Sequence, residues 1–262
     1  ALHILTRDGK LNQDSRRKLK QVYHLFQFIE KLLLELPADQ TITLADHGAG
    51  KSYLGFIIYD LFFKALGQGT IYGIETRSEL VASSQALAQK LGFDRMRFLN
   101  VSVAESTQSS ELPAQIDVVT ALHACDTATD HALAFGLAKH AHHMVLVPCC
   151  QAEVAGVLRK HKALSLSRNP LSEIWRHPLH TREFGSQITN VLRCLQLEAS
   201  GYQVTVTELV GWEHSMKNEL ILAKYTGQKK RSAAERLQAL LKEFGLETLL
   251  SHRYPALDGA SA

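Results

Sequence analysis

Two glycines one residue apart, set between an apolar run that closes on an acid and an apolar stretch long enough for a helix, constrain this chain most. The segment Leu44-Ala-Asp-His-Gly-Ala-Gly-Lys-Ser-Tyr-Leu54 reads as a strand, a tight turn and a helix start. Glycine permits positive φ and lets a ligand reach bare backbone, while the first N–H groups of the following helix face that ligand. A nucleotide-like ligand is therefore expected at this turn.

The rest of the chain repeats the same rhythm. Ser15 to Leu36 carries Leu19, Val22, Tyr23, Phe26, Ile29, Leu32 and Leu33 at three- and four-residue spacing, the pattern of an amphipathic helix, and Arg16, Arg17, Lys18 and Lys20 opposite them. The helix after the glycine turn ends near Gly67-Gln68-Gly69. Thr70 to Glu75 is a second strand that closes on a carboxylate, so strand, helix and strand form a βαβ unit. A helix from Arg77 to Leu91 leads to a third strand, Arg97 to Val103. Ile116 to Leu122 and Met144 to Val147 are strands with a helix, Ala132 to Ala141, between them. A helix from Ser186 to Ala199, with Ile188, Leu192, Leu195 and Ala199 aligned, precedes strands Tyr202 to Val210 and Glu219 to Tyr225, close enough to pair antiparallel.

This predicts an α/β fold divided into a helical lead-in (1–37), a main domain (38–226) and a C-terminal helix and tail (227–262), in which Asp258 to Ala262 fray. An excursion at 151–185 breaks the rhythm. It gathers Arg159, Lys160, Lys162, Arg168, Arg176 and Arg182 against three glutamates and reads as a basic cap over the site. At 262 residues the chain can bury a full-sized core, and a formal charge of +3 permits an anionic partner without demanding one. Four cysteines without framework spacing fit a reduced, cytoplasmic protein. The longest apolar stretch, around Tyr53 to Phe63, is broken by Asp60, so no membrane span is expected.

Three ligands compete for the glycine turn. Gly50-Lys51-Ser52 could end a phosphate-cradling P-loop, but Ala45 stands where its first glycine belongs. A dinucleotide site needs a third glycine three residues after the second, and Tyr53 stands there. S-adenosyl-L-methionine has no pyrophosphate and needs no third glycine; an acid ahead of Gly-x-Gly, as Asp46 is, fits it best. Glu75 then has the chemistry to bind ribose hydroxyls, though it lies further on than the usual spacing of about 20 residues.

Asp46-x-Gly-x-Gly-Lys-Ser-Tyr-Leu, Ala121-Leu-His-Ala-Cys-Asp-Thr-Ala-Thr-Asp130, Val147-Pro-Cys-Cys-Gln151 and Glu213-His-x-x-Lys-Asn218, taken in order, resemble the class I methyltransferases of the methyltransferase-like 25 type, bacterial members included. The resemblance runs from about Lys18 to Tyr225. It implies a doubly wound, Rossmann-like seven-stranded sheet, parallel except for its last antiparallel strand. It further implies S-adenosyl-L-methionine as cofactor, with Asp46 near its methionine end, Gly48 and Gly50 under it, Glu75 on the ribose and Ser102 beside the adenine. Ser52 departs from the pattern, since many methyltransferases have a third glycine there.

The fourth strand's end supplies the chemistry, because ligands meet at the carboxyl ends of strands in open α/β sheets. His123 is the natural base, with a pKa near working pH, and Cys125 and Asp126 are expected to act beside it. Asp130, Cys149, Cys150 and Gln151 are expected to face the acceptor. A metal site is not expected, because adjacent cysteines chelate one tetrahedral ion poorly and no second pair exists. Pro148-Cys149 also admits covalent attack on a pyrimidine, although methyl transfer by direct displacement needs no enzyme nucleophile. RNA or a ribosomal substrate is the first choice of acceptor, since positive charge gathers in the lead-in helix and the excursion. A protein side chain comes second, and a non-catalytic binding module is the rival.

Overall fold

The computed structural model describes residues 13–37, 39–122, 124, 126–148, 152–161, 173–174, 176–209, 219–249 and 253–254. Seven strands form one sheet: β1 Thr43–His47, β2 Thr70–Ile74, β3 Met96–Leu99, β4 Val118–Leu122, β5 His143–Val147, β6 Tyr202–Glu208 and β7 Glu219–Tyr225, in the order β3-β2-β1-β4-β5-β7-β6. All pairings are parallel except those of β7, which runs antiparallel to both β5 and β6. The expected doubly wound sheet is therefore present. Strand order reverses between β1 and β4, so their carboxyl ends flank the crevice where open sheets bind ligands.

Alternation along the strands explains the layers. Leu44, Ile71, Val118 and Val145 face one side, where they pack with α1 (Gln13–Leu34) and the helix that follows β1. Ala45, Tyr72, Val119 and Met144 face the other, against α6 (Thr127–Ala138). Strands buried on both faces read as continuous apolar runs, which is why they were legible. In α1 the buried stripe is Val22, Leu25, Phe26, Ile29 and Leu33; Tyr23, expected within it, is 49% exposed.

The helix after β1 is irregular: α2 (Tyr53–Ile58) passes through a π turn at Tyr59–Phe63 into α3 (Lys64–Leu66). Next come α4 (Ser78–Leu91) and α5 (Val103–Gln108). Within the expected basic excursion, α7 spans Glu153–His161, and α8 runs Pro178–Ala199, starting at Pro178 rather than at Ser186. Proline suits a first helical turn because its φ is already set. Residues 162–172 and 175 lie outside the described residues, as do Asp258 to Ala262. The C-terminal α9 (Arg231–Glu243) shares a third core with α7 and α8 through Leu158, Leu192, Leu237, Leu241 and Tyr254. Among the described residues no helix is long and apolar enough to cross a membrane.

Candidate active site

The turn after β1 takes the left-handed backbone its sequence implies. Gly48 has φ +63° and Gly50 φ +57°, and Ser52, though not glycine, has φ +54°. That conformation explains why the position favours glycine, and serine occupies it at a steric cost. The Ser52 hydroxyl is buried and has no partner among the described residues.

At the end of β2, Glu75 lies beside this turn. Its Oε2 accepts the Gly50 N–H at 2.9 Å and Arg77 Nη2 at 3.1 Å; its Oε1 accepts the Arg77 backbone N–H and Arg77 Nε, each at 3.1 Å. Burial alone would raise this carboxyl. The hydrogen bonds from Arg77 and Gly50, with the Arg77 charge, outweigh burial and hold it at about 2.

Asp46 and His47 close β1 with opposite problems. Asp46 stands next to Gly73 on β2 and Thr120 on β4, and Thr120 Oγ1 donates to its Oδ1 at 2.7 Å. Burial pushes its carboxyl up to about 7 against the lowering effect of that bond. His47 turns to the other face, edge-on to Phe135 with ring centroids 4.3 Å apart. Neither ring nitrogen has a partner among the described residues, and burial lowers its pKa to about 3, so the ring is neutral.

Three residues expected at the site, two after β4 and one after β3, have partners within the fold. Asp126, with φ +50° and ψ −123°, uses Oδ1 to accept the N–H groups of Ala152 at 2.9 Å and Glu153 at 3.3 Å, and so caps α7. Asp130 is turned to Arg193, whose Nε and Nη2 donate to its two oxygens at 2.8 and 2.6 Å. Ser102 forms a capping box with Glu105 at the start of α5, so its hydroxyl already serves the backbone. His123, Cys125, Cys149, Cys150 and Gln151 lie outside the described residues, as does the Glu213–Asn218 segment. Among the described residues no three potential metal ligands come together.

The sequence reading missed Thr120, Arg77 and Arg193. Arg193 had a signal: Asn190, Arg193 and Gln196 form a polar row at three-residue spacing beside the apolar stripe of α8, and all three are buried. A polar row on a buried face implies a network rather than a solvated edge.

A family model described as a methyltransferase domain matches residues 17–157. A search of curated proteins finds no match. Among solved structures, magnesium protoporphyrin IX methyltransferase from Synechocystis PCC 6803, with bound SAH, superposes with a TM-score of 0.50 at 13% identity, over 84% of this chain and 90% of that one. The CurJ carbon methyltransferase superposes with a TM-score of 0.52 at 16% identity, over 82% of this chain and 58% of that one. At these identities the likeness is one of fold.

Proposed function

The chain belongs to the methyltransferase-domain family, whose model covers residues 17–157, and from that premise we propose that it methylates RNA with S-adenosyl-L-methionine. It is a class I methyltransferase in fold, an enzyme whose cofactor is S-adenosyl-L-methionine. One observation carries the placement of that cofactor. The 2.9 Å bond from Gly50 N–H to Glu75 brings a bare glycine turn and an ionised carboxylate together at the carboxyl ends of β1 and β2, beside the switch point of the sheet. Polar hydroxyls of a ribose suit such a carboxylate, and a flat ligand suits the turn.

The cofactor supplies an electrophilic methyl group on a sulfonium. The protein's own residues bind, align and move a proton. Glu75 accepts the ribose hydroxyls, Gly48 and Gly50 allow close approach, and Asp46 stands at the methionine end. His123 takes the acceptor's proton as general base. Alignment carries most of the rate, since an in-line displacement gains from orientation above all.

Charge and topology support RNA as acceptor. Lys20, Arg159, Lys160, Arg176 and Arg182 are all exposed. Helix α8 leads into β6, which runs parallel to β1, so its start, bearing Arg182 and preceded by Arg176, lies towards the carboxyl edge of the sheet. The four motif segments support the methyltransferase-like 25 type. Incubating the protein with methyl-labelled S-adenosylmethionine and separated cell RNA and protein is expected to label RNA, with the label lost on ribonuclease treatment. Label in protein alone would replace the acceptor, and label in neither would favour the non-catalytic module.

Asp46 makes cofactor binding pH-dependent in a definite direction. Its carboxyl, raised to about 7, is neutral below that pH and ionised above it. The cofactor's ammonium is attracted to the ionised form, so affinity for S-adenosylhomocysteine is expected to rise between pH 5.5 and 7.5, with a proton released on binding at the acid end. Asp46→Asn is expected to flatten this rise in a calorimetric pH series.

A further inference from the structure

Arg193 is the largest fully buried side chain described, with no exposed surface. Its guanidinium makes four hydrogen bonds to described residues: two to Asp130, one from Nη1 to Asn190 Oδ1 at 2.9 Å, and one from Nη2 to the Asp126 carbonyl at 2.9 Å. A guanidinium has five N–H donors, so almost all are used. Burying such a charge is costly even when it is paired, and apolar replacements of equal volume often match the stability. Stability alone therefore does not account for an arginine at this position.

What it reaches does. The Asp126 carbonyl belongs to a residue held at φ +50°, a conformation that persists only when its surroundings over-determine it. Asp126 passes the restraint on, because its carboxylate fixes Ala152 and Glu153 at the start of α7. Asn190, fixed by Arg193, donates to Glu219 Oε2 at 2.6 Å, and Glu219 opens β7. One guanidinium thus anchors the ends of three connections at the carboxyl edge: after β4, after β5 and before β7. They carry three of the four motif segments.

We propose that Arg193 is the positioning residue of the acceptor side of the site, setting these three connections relative to one another through Asp126, Asp130 and Asn190. The inference rests on the reading of that edge as the place of methyl transfer. Lysine cannot reproduce a planar fork of donors, so Arg193→Lys keeps the charge and loses the geometry.

Hydrogen exchange read by mass spectrometry, with calorimetry and the labelled-methyl assay on the same variant, tests the proposal. In Arg193→Lys, exchange is expected to rise together at 124, 126–127, 152–156 and 219–221. Affinity for S-adenosylhomocysteine should fall far less than turnover, by no more than about threefold, because Arg193 bonds none of Gly48, Gly50 and Glu75, although Ala124 packs beside Gly48. Transfer to the fraction that wild type labels should fall by about a hundredfold in kcat, with KM for the cofactor unchanged. Exchange confined to α8, or an equal loss of cofactor affinity and turnover, would overturn it. If wild type binds no S-adenosylhomocysteine the functional reading fails, while the exchange pattern still decides the role of Arg193. Should Arg193→Lys not fold, Asn190→Ala cuts one arm only and is expected to raise exchange at 219–221 and leave 152–156 unchanged; a rise at both, or at neither, would count against the proposal.

Discussion

Glu75→Ala is expected to weaken binding of S-adenosylhomocysteine by at least about tenfold while the protein stays folded. Two charge-assisted hydrogen bonds to ribose hydroxyls are each worth about 1.5 to 3 kcal/mol. The net loss is smaller than their sum, because in the free protein the Glu75 oxygens already accept from Gly50 and Arg77. Binding is therefore expected to exchange partners. Arg77 is expected to give way, since its side chain is 59% exposed and water can solvate it once it leaves. Glu75→Gln, which keeps the shape and loses the charge, should fall between alanine and wild type. Calorimetry reads both, and unchanged affinity in a folded alanine variant would place the ribose elsewhere.

Gly69→Ala is expected to destabilise the fold by about 3 kcal/mol, seen as a lower urea midpoint. Gly69 has φ +89°, which costs an L-residue about 1 to 2 kcal/mol. A Cβ there would also lie 2.6 Å from Phe63 Cε1 and 2.7 Å from the Ile42 carbonyl, overpacking that costs about 1 to 3 kcal/mol more. That carbonyl accepts the Thr70 N–H at 2.9 Å, so the clash falls on the hydrogen bond next to the β1–β2 pairing. Gly67, two residues earlier, is the contrast: its φ is +73° but, its immediate chain neighbours aside, no described atom lies within 4 Å of the place its Cβ would take, so Gly67→Ala should cost about 1 kcal/mol. Equal effects at the two positions would contradict the packing account.

The Gly67-Gln68-Gly69 run could be read as a helix end, yet nothing local distinguishes its two glycines, because the Ile42 carbonyl and the Phe63 ring come from elsewhere in the fold. The same division holds throughout. Period-two burial in Leu44 and Ala45, or Val118 and Val119, is a local property and was legible. The start of β4 was not, since Asp117 beneath it accepts from Thr43 and Gln40 across the bottom of the sheet, a pairing invisible in the run Ile116 to Leu122. Glu75 was legible as a carboxylate closing a strand, whereas its clasp by Arg77 was not. Asp126 and Asp130 read as free carboxylates because their partners, at Ala152, Glu153 and Arg193, are far along the chain. Chemistry-bearing residue types were visible; which of them hold the backbone and which face a ligand depends on contacts made only on folding.

The Gly48–Gly50 turn and Glu75 are expected to form a site for S-adenosyl-L-methionine rather than for a phosphate-bearing nucleotide. Calorimetric titration of the wild-type protein with S-adenosylhomocysteine, ATP and NAD tests it most directly. Saturable binding of S-adenosylhomocysteine, with neither ATP nor NAD competing, is the predicted result. Tight ATP or NAD binding without response to S-adenosylhomocysteine would contradict it.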